Sequence, residues 1–140
     1  MGMVISKREL SILDKSGLMR PLIYCNPGKE IEDMAISINV ALANILLTIS
    51  PNRRTMRMER CVQKVLSGVP KDAIIKDFDV MFNPEYEVDI LRIIIAQYRV
   101  KPFDVIWPGR YEKGKLVYAE EGFWDYRVYK IDNYDVTCVV

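Results

Sequence analysis

The residues of this chain best suited to chemistry are a glycine-lysine pair, Gly28-Lys29, and the acids Asp77 and Asp79. Gly28 and Lys29 sit in the turn Cys25-Asn26-Pro27-Gly28-Lys29-Glu30, directly after an apolar segment at 21–25 that reads as a strand. A strand running into such a turn suggests a phosphate cradle, in which backbone amides surround an anion. This turn is too short and too acidic to support nucleotide hydrolysis. Asp77 with Asp79, or Glu120 with Glu121, could pair carboxylates for hydrolysis or metal binding. Adjacent acids are commonplace on surfaces, and Gly28-Lys29 is a common dipeptide. The turn therefore reads first as solvent-exposed, with a residual anion site as the alternative.

Composition narrows the chemistry further. The 140 residues contain no histidine, which removes Ser-His-Asp, Cys-His and HExxH arrangements together. Three cysteines, Cys25, Cys61 and Cys138, are widely spaced and include no CxxC pair, so neither zinc nor a disulfide framework is indicated. No metal site is expected. Reduced thiols and the absence of a readable signal peptide or membrane span suggest a cytoplasmic protein without membrane contact. With 20 basic against 19 acidic residues the formal charge is +1, so binding to a polyanion would need a local patch.

One such patch is present. Arg53, Arg57, Arg60 and Lys64 recur at helical spacing, and the stretch 53–64 holds five cations against the single carboxylate of Glu59. Met58, Val62, Val65 and Val69 share another face and read as core. The basic face is an ordinary solvated surface, or a contact for DNA phosphates or an acidic protein. Toward the C-terminus, Glu120, Glu121, Asp125, Asp132 and Asp135 outnumber Arg127 and Lys130. Opposed patches would suit head-to-tail assembly. Most aromatics of the last third read as packing for a β core, whereas Phe123 and Trp124, after Glu120-Glu121-Gly122, read as a partner contact.

These residues must be positioned by alternating elements. The pattern predicts a short helix at 4–15, a strand at 21–25, the start of a helix at 30–35, a weak strand at 36–40 and a buried helix at 41–49. Ser50-Pro51 marks the start of a helix that runs to Gly68. A strand at 73–82, a helix at 85–98 and a strand at 103–107 follow, the order that makes a right-handed parallel crossover. A hairpin is expected at 110–118, with further β segments at 127–130 and 136–140. The whole reads as a single α/β domain over 1–140.

The ordered set Phe82-Asn83-Pro84, Val88-Asp89-Ile90-Leu91-Arg92, Trp107-Pro108-Gly109 and Leu116-Val117-Tyr118-Ala119-Glu120, ending in Asp125-Tyr126-Arg127, resembles the BrxF family. These are the small P-loop-containing proteins of type III BREX (bacteriophage exclusion) loci in bacteria and archaea. The likeness covers about the second half of the chain. It implies a P-loop-like three-layer core with a mainly parallel sheet and a C-terminal β-hairpin. It also implies a Walker A loop after the first strand and a metal-facing acid on the strand at 74–82.

Both positions depart from that plan. Pro27 lacks an amide donor, only one glycine is present, and Glu30 stands where a hydroxyl would hold magnesium. Lys76 stands where the metal-facing acid is expected, with Asp77 and Asp79 close by. The resemblance therefore implies a non-catalytic binding or assembly component of an antiviral BREX-like system. Its partners would be other defence proteins or further copies of itself, and no cofactor is expected. One alternative is a nucleotide-binding protein or weak ATPase using ATP and magnesium through Gly28, Lys29, Asp77 and Asp79. Another is a DNA-binding accessory protein using the basic helix.

Overall fold

The computed structural model describes residues 1–140, leaving aside the side chain of Lys15. Among the described residues, nine strands and five α-helices are ordered β1 (Met3–Ile5), α1 (Lys7–Ile12), β2 (Leu22–Tyr24), α2 (Lys29–Met34), β3 (Ile36–Ser37), α3 (Asn39–Leu47), α4 (Arg54–Ser67), β4 (Ala73–Lys76), α5 (Ile90–Val100), β5 (Phe103–Ile106), β6 (Arg110–Glu112), β7 (Lys115–Tyr118), β8 (Arg127–Lys130) and β9 (Thr137–Val139). Six strands form an all-parallel sheet in the order β1-β9-β2-β5-β4-β3, and β6-β7-β8 form a separate antiparallel sheet.

Parallel strands covered on both faces read as continuous apolar runs, and Leu22, Ile23 and Tyr24 of β2 are all buried. Alternation then sorts side chains between two core clusters. Ile23, Ile75, Val105 and Cys138 face α3, α4, α5 and the small sheet. Leu22, Tyr24, Ile106 and Val139 face the thinner layer made by α1 and α2. The result is three layers. α1 and α2 carry the chain across one face from β1 to β2 to β3, and the larger elements return it across the other, as right-handed crossovers require.

Local chemistry explains most of the boundaries. Ser6 and Glu9 form a capping box at the start of α1. Asp89 caps α5, accepting from the Arg92 amide at 3.1 Å. The β6–β7 hairpin turns on Lys113 and Gly114, both with positive φ, the geometry of a type I′ turn.

Several expected elements differ from those observed. The segment 4–15 is not one helix, because Val4 and Ile5 enter β1 and pair with Cys138 and Val139. The strand expected at 73–82 ends at Lys76, where Asp77 turns with φ 55°, and Asp79–Phe82 winds into a 3-10 turn that buries Met81 and Phe82. The helix expected at 85–98 starts at Ile90, after a short 3-10 turn at Pro84–Tyr86. Ser50 does not cap with its side chain, since Pro51–Arg53 is a 3-10 turn that precedes α4.

Candidate functional site

In open parallel sheets, ligands bind beyond the carboxyl ends of adjacent strands whose connections leave toward opposite faces. Here those strands are β2, which leaves toward α2, and β5, which leaves toward the small sheet. The crevice between them is edged by the turn at 25–28 and by Trp107-Pro108-Gly109.

The turn does not make a cradle. Cys25 continues the ladder by donating its amide to Val139 O at 2.9 Å, and α2 begins at Lys29. Gly28 is in ordinary extended backbone, φ −74° and ψ 170°, and a Cβ there would meet nothing within 4 Å. Neither a left-handed turn nor a close backbone approach requires this glycine. Lys29 and Glu30 are exposed, and Glu30 and Glu32 place carboxylates in the first turn of α2, where an anion would have to bind.

The opposite edge is filled by packing. The Trp107 amide donates to Tyr24 O at 2.9 Å and its indole N–H donates to Val117 O at 3.0 Å. A Cβ on Gly109 would lie 1.9 Å from Val117 O, so the glycine is what lets the small sheet fold this closely over β5. The Trp107-Pro108-Gly109 motif thus has a structural reason.

Lys76 and Asp79 are committed elsewhere. Lys76 Nζ donates to Glu32 O and pairs with Glu32 Oε1, both at 3.1 Å, tying the end of β4 to α2. Asp77 is exposed. Asp79 accepts from the Tyr118 hydroxyl at 3.0 Å, and Tyr118 stacks on Phe82 with centroids 3.7 Å apart. Burial first, and then Asp79, push the Tyr118 phenol up to about 12. Gly28, Lys29, Asp77 and Asp79 line none of the clefts described here, and among the described residues no group of three acids or thiols is placed to hold a metal ion.

The two buried thiols, Cys61 and Cys138, are not set up as nucleophiles. The neighbouring Cys25 thiol, then burial, push Cys138 up, and burial pushes Cys61 up, so both stay protonated.

Two clefts draw separate parts of the chain together. One, of about 480 Å³, is lined by Asn83, Pro84, Glu85, Phe123, Trp124 and Asp125. Phe123 and Trp124 are 61% and 89% exposed, while the other tryptophan, Trp107, is buried. Aromatic side chains held open beside acids offer the kind of anchor that protein interfaces bury. The other, of about 490 Å³, opens on the thin α1–α2 face, between Met34 and the strands β2, β4 and β5. At its base Asp104 accepts from Arg20 Nη2 at 2.7 Å, from Arg20 Nε at 3.3 Å and from the Leu22 amide at 2.8 Å. Arg20 and Asp104 belong to no sequence motif, and their signal in the sequence is one acid inside an otherwise apolar strand.

Arg57, Arg60 and Lys64 on α4, and Arg53 in the 3-10 turn before it, are all exposed and make no ion pair among the described residues. Arg54 is separate from this stripe, since its Nε donates to Leu46 O and Ile49 O of the α3 end.

Comparison of the chain with protein-family models, curated proteins and solved structures found no match. Among the described residues, no helix is long and apolar enough to cross a membrane.

Proposed function

We propose that this chain is a non-catalytic binding and assembly protein, in which a P-loop-like α/β core serves as a scaffold for surface contacts. The observation that carries this reading is the cleft where Phe123 and Trp124 stand open beside Asn83 and Pro84. The crevice at the switch point supports it from the other side, since Gly28 forms no cradle, Glu30 sets an exposed carboxylate in the first turn of α2, and Lys76 is paired with Glu32. The resemblance of the second half to BrxF supports extending this proposal to a component of a BREX-like antiviral system in the cytoplasm.

Titration calorimetry with ATP and magnesium, together with a phosphate-release assay, tests the proposal. No binding heat and no turnover are expected. Micromolar binding with turnover, both lost in Lys29→Ala, would overturn it in favour of a nucleotide-binding protein. A second reading, DNA binding, has one observation in its favour, the basic stripe of Arg57, Arg60 and Lys64 on α4, which makes no ion pair among the described residues. It requires affinity for duplex DNA that is independent of sequence, falls steeply with salt and disappears in Arg57→Glu/Arg60→Glu.

A further inference from the structure

We propose that the cleft at Phe123 and Trp124 takes a second copy of this chain, which seats its α3–α4 surface there so that subunits join head to tail. The inference rests on the assembly reading and names its partner.

The first argument is chemical complementarity. The cleft has apolar walls, its two charged lining residues, Glu85 and Asp125, are both carboxylates, and the loop leading into it adds Glu121, while Glu120 pairs with Arg110 at 3.6 Å. Its fitting occupant is therefore apolar and basic. The α3–α4 pair has that character. Arg57, Arg60 and Lys64 are exposed on α4, and Val40 and Leu47 are 72% and 71% exposed on α3, which packs against it. Each surface supplies what the other lacks, and joining them would bury side chains that a monomer leaves in water.

The second argument is direction. The Thr55 hydroxyl donates to Glu85 O at 3.3 Å, which puts the cleft wall against one flank of α4. With about 3.6 residues per turn, Lys64 lies half a turn from Thr55 around the helix, and Arg57 and Arg60 lie within about 40° of that opposite side. The two patches thus look away from each other. A contact between them joins different surfaces of identical subunits, and it repeats into a ring or a filament instead of closing as a two-fold dimer.

Sedimentation velocity across a concentration series tests this. In about 50 mM salt the average mass of the wild type is expected to rise past that of a dimer, and in about 500 mM salt to fall back, because exposed charges are screened. Trp124→Ala alone and Arg57→Glu/Arg60→Glu alone should each be monomeric, with unchanged circular dichroism. Mixed together they should form a dimer and stop there, since the first variant keeps its basic face and the second keeps its cleft. A wild type that is monomeric throughout would overturn the second copy as occupant, while the non-catalytic reading keeps its own nucleotide test. A mixture that stays monomeric, or a wild-type dimer that grows no further, would overturn the head-to-tail geometry. If Arg57→Glu/Arg60→Glu loses only DNA binding and assembles like the wild type, the basic stripe serves nucleic acid and the proposal fails.

Discussion

Replacing Asp104 with alanine is expected to be among the most damaging single changes in the chain. The Asp104 side chain is 5% exposed and its partner Arg20 is 22% exposed, so the pair is largely out of water. The carboxylate accepts three hydrogen bonds, two from the guanidinium and one from the Leu22 amide at the start of β2. Removing one partner of a buried pair costs about 3 to 5 kcal/mol, and an orphaned buried amide contributes about 1 to 3 kcal/mol of such a loss. Arg20 can still turn toward water, so the lower end applies, about 3 kcal/mol. Asp104→Asn keeps the shape and the Leu22 bond and should lose about 1 to 2 kcal/mol. Arg20→Met combined with Asp104→Leu should cost less than the two single changes together, by at least about 1 kcal/mol, because neither charge is then left alone. Urea unfolding followed by far-ultraviolet circular dichroism measures this. For a slope near 2 kcal/mol per molar, the midpoint of Asp104→Ala falls by about 1.5 M. A shift below about 0.3 M, or strictly additive single and double variants, would refute the reasoning that this pair anchors β2 to β5.

Phe82 touches Phe78, Trp107 and Tyr118 at centroid distances of 6.2, 5.5 and 3.7 Å and is almost fully buried, so Phe82→Ala should cost about 3 to 5 kcal/mol in the same assay. Gly109→Ala would drive a methyl group against Val117 O, so loss of the near-ultraviolet signal of Trp107 is expected, with a greater loss of stability than for Gly28→Ala, where the space is open. The raised Tyr118 phenol makes stability depend on alkaline pH. Its contribution is complete below about pH 10, the unfolded value, and is lost as pH rises through about 12. Tyr118→Phe keeps the ring stacked on Phe82 and should flatten that decline, as read from unfolding midpoints between about pH 9 and 12.

The division between what local sequence encodes and what it leaves open follows the range of each interaction. Spacing of three and four along α4 separates Met58, Val62 and Val65 from Arg57, Arg60 and Lys64, because both faces belong to one continuous helix. The β6–β7 hairpin was legible because its turn is a property of Lys113 and Gly114 themselves. The alternation of helices with β-type segments likewise implied an α/β fold with a mainly parallel sheet, which is the fold observed.

Other features have no local signature. Val4 and Ile5 look helical among charges, and they become a strand only because β9, from the far end of the chain, lies beside them. A run of β-formers after Lys76 leaves the sheet because Phe78, Met81 and Phe82 gain more by entering the core between α3 and the small sheet. The same holds for function. Sequence by itself determined that catalytic options were few and that the turn at 25–30 was poor for phosphate, since those follow from residue types. Only the tertiary structure decided that Asn83 and Pro84 meet Phe123 and Trp124, and that Arg20 meets Asp104. A parallel sheet brings together segments far apart in the chain, and which of them meet is decided by the core they jointly bury.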